Sequence, residues 1–332
     1  MSDRPQALLE VTDLSVSFDT PGGEVRAARH VSFAIEDGET VALVGESGSG
    51  KSVTALSVLQ LLPRPPARYV SGRIRFRGEE LMGAPESALR AVRGNRIALV
   101  PQEPMTSLNP LHVIERQVSE VLLVHKKLDR AAARARTLEL LHLVGLPEAE
   151  RRLNAYPHQL SGGQRQRVMI AMALAMDPKV LIADEPTTAL DVTVQAQIMD
   201  LLAELRRDLN MGMILITHDL GVVADVADRI AVMYAGRIVE HADVHSLYRN
   251  PAHPYSKGLL ESIPRLDDKG TALATIKGLP PNLMRPPSGC AFHPRCKYAQ
   301  EICVTTTPPL LELGNGRTSA CHFAKELLDG RI

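Results

Sequence analysis

Gly45-Glu46-Ser47-Gly48-Ser49-Gly50-Lys51-Ser52 decides the fold, because it fits G-x-x-x-x-G-K-[ST] between a predicted strand and a predicted helix. Thr40 to Val44 is the short apolar run before it, and a helical pattern follows from Lys51 until Pro63. Glycines at this spacing let backbone N–H groups turn inward around a β-phosphate, and the helix start adds positive potential. Lys51 would reach the β- and γ-phosphates, and the Ser52 hydroxyl would ligate Mg²⁺. The bland alternative is a Gly-rich strand–helix turn.

Two further stretches weigh against that alternative. Val180-Leu181-Ile182-Ala183-Asp184-Glu185 is an apolar run ending in two acids, as expected of a parallel strand buried on both faces. Acids at the carboxyl end of such a strand belong where ligands bind in α/β sheets. Asp184 suits holding Mg²⁺ through water, and Glu185 suits polarising an attacking water. Leu160-Ser161-Gly162-Gly163-Gln164 precedes an apolar helical stretch from Val168 to Met176. Ser161 can cap that helix, and the two glycines expose backbone N–H groups, which makes a second anion-binding helix start. One nucleotide has one γ-phosphate, already served by Lys51, so the second turn points to a nucleotide held by another chain.

Around these motifs the periodicity changes in a definite order. Leu8 to Phe18 and Val25 to Ile35, broken at Thr20-Pro21-Gly22-Gly23, read as antiparallel strands, with another at Arg73 to Arg77. From Glu103 to Met176 the signal is helical, after a strand at Arg96 to Val100. Strand 180–183, helix 194–209, strand 213–217 and helix 220–227 then form a βαβα series with right-handed crossovers. One short strand follows Gly236, and a helix runs from Ser256 to Ser262. Past Pro264 the chain is Pro-rich and loop-like, and it needs a staple to hold a shape. Lys plus Arg equals Asp plus Glu at 38 each, which speaks against nucleic acid as a partner. The N-terminus has no secretory pattern, and no apolar run is long enough to span a bilayer, so a cytoplasmic chain is expected.

Taken together, these motifs resemble the nucleotide-binding subunit of an ABC transporter, over about Leu8 to Ser262. Gln102 after its strand matches the Q-loop glutamine, and Leu160 to Gln164 the signature motif. Asp184 and Glu185 match the Walker B aspartate and catalytic glutamate, Ala189-Leu190-Asp191 the D-loop, and Thr217-His218-Asp219 the switch-histidine loop. Phe18 stands where an aromatic stacks on adenine, a position that a core Phe on a strand fits equally well. The resemblance implies an α/β P-loop NTPase with a RecA-like parallel core, an antiparallel β subdomain and an inserted helical subdomain at about 103–176. It implies a motor domain over 1–264 and a Cys-bearing extension over 265–332. Gln102, Glu185 and His218 would serve hydrolysis, with Ser52, Gln102 and Asp184 on Mg²⁺. ATP would lie against Phe18, Gly45 to Ser52 and, from the other subunit of a head-to-tail dimer, Leu160 to Gln164 and Asp191.

Pro251-Ala252-His253-Pro254-Tyr255 and Gly289-Cys290-Ala291-Phe292-His293-Pro294-Arg295-Cys296 are similar to segments of dipeptide and oligopeptide importers, whose relatives also carry nickel or glutathione. That implies a second motor subunit (a paralogue), two membrane-embedded permease subunits, an extracytoplasmic solute-binding protein, and a peripheral place on the cytoplasmic face of the inner membrane. A soluble ABC-type ATPase acting on nucleic acid or ribosomes is the rival reading, and a metal-sensing regulator with an ATPase attached is a third. Cys290, Cys296, Cys303 and Cys321 are the chain's four cysteines, spaced C-x5-C-x6-C-x17-C. In a reducing compartment they read as a metal site before disulfides. Structural zinc usually takes cysteines in closely spaced pairs, which are missing here, whereas a [4Fe–4S] cluster accepts scattered thiolates. The resemblance implies the cluster, with zinc and unliganded thiols as the alternatives.

Overall fold

The computed structural model describes residues 7–188, 190–263 and 275–332. Ala189 and the expected boundary between 264 and 265 lie outside them. Its strands are β1 (Leu9–Thr20), β2 (Gly23–Ile35), β3 (Thr40–Val44), β4 (Ala67–Phe76), β5 (Glu79–Glu80), β6 (Ile97–Val100), β7 (Val180–Asp184), β8 (Gly212–Thr217), β9 (Arg229–Tyr234), β10 (Arg237–Asp243), β11 (Leu311–Gly314) and β12 (Arg317–Ser319). The chain divides into two compact units, one drawn from Met1–Ile35, Thr40–Met82 and Thr217–Ile332, the other from Glu36–Glu39 and Gly83–Ile216.

In the first unit, β1 and β2 form the long hairpin that the alternation predicts, turning at Pro21-Gly22 with Thr20 opposite Gly23. β4 pairs antiparallel with β1 and β5 with β4. A second set of strands is built on β3, whose five residues are all buried. β9 lies parallel to β3, and β10 runs antiparallel to β9. The sequence pattern does not announce β9. Ile230 to Tyr234 is a short continuous apolar run, which periodicity cannot tell from buried helix. It also follows directly on a stretch expected to be helical through 227, of which only Leu220–Val223 is α-helix.

The C-terminal segment joins this unit as added strands. β12 pairs antiparallel with β10, Glu240 opposite Ser319 and His241 opposite Thr318, and β11 pairs with β12. Glu240, fully buried, ties the addition in place. Its carboxylate accepts the backbone N–H groups of Ala252 (2.8 Å) and His253 (3.0 Å) and Nη2 of Arg317 (2.9 Å). Burial pushes this carboxyl upward, against the pull of those donors.

In the second unit, β6, β7 and β8 lie parallel in that order, and every residue of β7 and β8 is buried. Such runs need both faces covered. The expected helical stretch breaks into Pro104–Ser107, Ile114–His125, Arg130–Leu143, Ala149–Arg152 and Gly162–Leu174. Asp129 caps the third of these, accepting from Ala132 N at 2.8 Å. The helices at 114–125, 130–143 and 162–174 pack on one another through Ile114, Val118, Leu122, Leu140, Leu141, Val168 and Ile170, all buried.

Glu240→Ala would strip Arg317 of its carboxylate and leave two buried N–H groups unpaired. It is expected to cost about 3–5 kcal/mol, measured by urea unfolding of the full chain. A loss below about 1 kcal/mol, the size of one ordinary hydrogen bond, would show that Glu240 does not anchor the C-terminal strands.

Candidate active site

β3 delivers the chain into the phosphate loop, and its backbone explains the glycines. Gly45 has φ 149°, Gly48 76° and Gly50 103°, values that favour glycine. A Cβ on Gly45 would lie 2.3 Å from the Met233 carbonyl oxygen, and one on Gly50 2.3 Å from that of Ala27. The loop is thus pressed between the backbones of β2 and β9. Gly50 leads into the helix Lys51–Val58, a turn shorter than the pattern to Pro63 suggested. Lys51 is buried, and its Nζ donates to the carbonyls of Gly45 (2.7 Å) and Glu46 (3.1 Å), holding the ammonium along the loop.

The motif itself carries no hint of what surrounds Glu46. Its N–H donates to the Tyr255 hydroxyl at 2.8 Å, and its carboxylate takes a bidentate pair from Arg295 at 2.6 and 2.8 Å. Tyr255, Tyr234 and Phe292 pack in tilted and edge-to-face pairs, centroids 4.6–5.3 Å apart, behind these contacts. Burial pushes both tyrosine hydroxyls upward in pKa, so they act as neutral hydrogen-bonding groups. Phe18 is half-buried on β1, opposite Val25 and Ala67 rather than sealed in the core. His218 is exposed just after β8, and the next residue, Asp219, caps the short helix by accepting from Gly221 N at 2.8 Å.

In the second unit, β7 ends on Asp184, which is buried, and Glu185, which is half-exposed with φ 44°. Glu185 is held from three sides. Gln102 Nε2 and Thr188 Oγ1 donate to Oε2 at 2.9 and 3.0 Å, and its own N–H donates to the Ile216 carbonyl at 2.9 Å. The structure brings Gln102 and Glu185 together, and Thr188 joins them with no signal of its own in the sequence. The signature turn is also ordered. Ser161 accepts from Gln164 N while Gln164 Oε1 accepts from Ser161 N, a reciprocal cap that starts the helix at Gly162, earlier than Val168. A Cβ on Gly163 would meet Val194 at 2.6 Å and one on Gly162 would meet Leu190 at 3.2 Å. Asp191 lies beside these contacts and caps the helix Val192–Leu209 through Val194 N at 3.0 Å.

The C-terminal cysteines converge. All four line one cavity, together with His253, His293, His322, Phe292 and Phe323. Burial pushes the Cys290 thiol up, Cys296 up to about 11 and Cys321 up to about 12, so each is a thiol until a metal displaces its proton. Four thiols facing one space are the donor set expected for a cluster. Among the described residues no group of three or more His, Cys, Asp and Glu side chains is arranged to hold a metal ion.

Comparison with known proteins fixes the family. The family profile "ABC transporter" matches residues 28–188, and that of the "Oligopeptide/dipeptide transporter, C-terminal region" matches 239–303. The oligopeptide transport ATP-binding protein OppD of Bacillus subtilis is 51% identical over 326 residues, 98% of this chain and 90% of that one. The chain belongs to the ABC transporter ATP-binding subunits. A putative peptide import ATP-binding protein of Brucella abortus is 53% identical over 95% of this chain and 94% of its own length. A solved dimer of the ATP-binding cassette MJ0796, bound to ADP and phosphate after hydrolysis, is 29% identical with TM-score 0.64, over 71% of this chain and 98% of that one. The fold is accordingly that of a P-loop NTPase, and the chain is an ATPase of the ABC class. Among the described residues no helix is long and apolar enough to cross a membrane.

Gly50→Ala tests the loop directly. The added methyl meets a backbone oxygen that cannot swing aside, so the loop must deform. ATP binding to the full chain should weaken at least about tenfold, or 1.4 kcal/mol, with the circular dichroism spectrum little changed. Unaltered ATP affinity would mean that this backbone shape is not what the nucleotide needs.

Proposed function

We propose that the chain is the ATP-hydrolysing motor subunit of an importer for dipeptides or oligopeptides. The observation that carries this is the 51% identity to an oligopeptide transport ATP-binding protein across 98% of the chain, C-terminal extension included. Its partners are a second motor subunit packed head to tail, two permease subunits in the membrane and, through them, an extracytoplasmic solute-binding protein. The work site is the cytoplasmic face of the membrane. The rival nucleic-acid or ribosome ATPase has no observation in its favour.

The residues divide the chemistry as follows. Gly45 to Gly50 present backbone N–H groups to the phosphates, and Lys51 supplies the positive charge. Ser52, Gln102 and Asp184 would hold Mg²⁺, which neutralises charge on the β- and γ-phosphates. Phosphoryl transfer leaves the protein mainly positioning and electrostatics to supply, so a carboxylate that orients water is the one group it must aim. Glu185 is that group, aimed by Gln102 and Thr188, with His218 as the residue that senses the γ-phosphate. Leu160 to Gln164 and Asp191 serve the nucleotide of the partner subunit, and Phe18 serves the adenine. The chain is organised as a motor domain over 1–264 and an extension over 265–332.

Cys290, Cys296, Cys303 and Cys321 would hold a [4Fe–4S] cluster, with zinc as the competing metal. Such a group would staple an extension whose helices and strands are three to five residues long.

Glu185→Gln keeps the hydrogen bonds and the shape but removes the base. Turnover in the assembled transporter should fall about 10²–10⁴-fold, with ATP binding retained, once the partner subunit's own glutamate is controlled for. An unaltered rate would remove Glu185 from the chemistry. For the thiols, the full chain purified without oxygen should contain iron and acid-labile sulfide near four of each and show broad visible absorbance. One equivalent of zinc without sulfide would replace the cluster by zinc, and neither metal would leave four packed thiols.

A further inference from the structure

Glu46 is an awkward residue for its place. It is the second residue of the loop that takes ATP, its carbonyl receives Lys51 Nζ, and its side chain is a carboxylate. The triphosphate brings several negative charges to that loop, and a nearby carboxylate opposes them. The structure shows how the opposition is cancelled. Arg295, 249 residues further along, closes a fork-to-fork pair on Glu46, Nη1 to Oε2 at 2.6 Å and Nη2 to Oε1 at 2.8 Å.

The arginine is built in, not swung in. Its side chain is 4% exposed, against 28% for Glu46. Nε donates to the Lys277 carbonyl (3.2 Å) and Nη2 also to that of Ile276 (3.3 Å), while Nη1 is 3.4 Å from the Tyr234 hydroxyl. Backbone carbonyls therefore hold the guanidinium independently of Glu46, and the pair costs little further ordering. The residue closes the turn His293–Arg295, immediately before Cys296. The same carboxylate's residue is gripped again at its N–H by Tyr255.

We propose that Arg295 is a positioning residue of the ATP site, whose task is to neutralise and hold the Glu46 carboxylate so that the loop can accept a triphosphate. ATP affinity then depends on the C-terminal extension being folded around Arg295. The inference rests on reading Gly45 to Ser52 as the ATP loop.

The test is a double-mutant cycle on the full chain, read by ATP binding and by KM against kcat in the assembled transporter. Arg295→Ala should weaken ATP binding about tenfold, which corresponds to 1.4 kcal/mol, mainly in Kd and KM and little in kcat. The loss should shrink as salt screens the bare carboxylate. Made in the Glu46→Gln background, the same change should cost less than about twofold, since no charge is left to cancel. Arg295→Lys keeps the charge without the fork and should fall between the two. If Arg295→Ala does not purify folded, Arg295→Gln carries the same comparison. An equal loss in both backgrounds, insensitive to salt, would reduce Arg295 to a packing residue and overturn the proposal, as would no loss with Glu46 present. Lys51→Ala is the control: if it leaves ATP binding intact, the reading of the loop itself is wrong, an outcome distinct from failure of the arginine.

Discussion

The first unit is organised around a close approach of backbone to backbone. The phosphate loop is wedged so tightly against Ala27 on β2 and Met233 on β9 that two of its residues have no room for a Cβ. The three glycines of this loop cannot hold their own conformation, because they have no side chains to pack. The loop's conformation is imposed by the strands beside it, so β9, an unremarkable apolar run by sequence, is as necessary to the loop as the glycines are. The Gly236 N–H donates to the Ser49 carbonyl at 2.9 Å and closes the wedge from the turn that follows β9. Preorganisation of this sort means that the ordering cost is met at folding and not at each ATP binding event.

The second unit treats its two adjacent acids in opposite ways. Asp184 ends a fully buried strand, where a carboxylate is tolerable only with a cation or donors at hand. Glu185 steps out of the strand into the left-handed region, a strained choice for a side chain bearing a Cβ, worth on the order of 1–3 kcal/mol. The strain turns the second carboxylate away from the line of the first. Gln102 and Thr188 then hold it with neutral donors, which fix its direction without taking its charge.

How much of this could be read from the residues follows from the range of each interaction. The phosphate loop, the signature turn and the paired acids are local patterns, with their backbone requirements written in adjacent glycines and caps. Ser161 caps its helix as expected, with Gln164 closing the cap from the other side, and Asp191 caps the next helix. The strand pairing of the C-terminal segment was not legible, because β11 and β12 are four and three residues long and alternate too briefly to register. Nor was the link from Glu46 to Arg295. Each sits inside a motif that says nothing of the other, and only the folded chain brings them within 2.6 Å across 249 residues. The four cysteines stood out by clustering in the sequence, but their convergence on one cavity depended on the turn at His293–Arg295 and the short helix Glu301–Thr305, neither of which any periodicity announced.

The strands added by the C-terminal segment also bear on solubility. An uncovered sheet edge offers a row of N–H and C=O groups to any other chain, and is a standing invitation to aggregate. β10 would be such an edge: seven residues, mostly buried, with Ile238 and Val239 both buried. β12 occupies part of it, and the hairpin ends the sheet on β11, a strand of four residues with Glu312 exposed in its middle. A short outermost strand carrying a charge is a poor template for further pairing. The segment thus acts as an edge guard, and a cassette released without it would present β10 to its neighbours at the concentrations where subunits wait to be assembled.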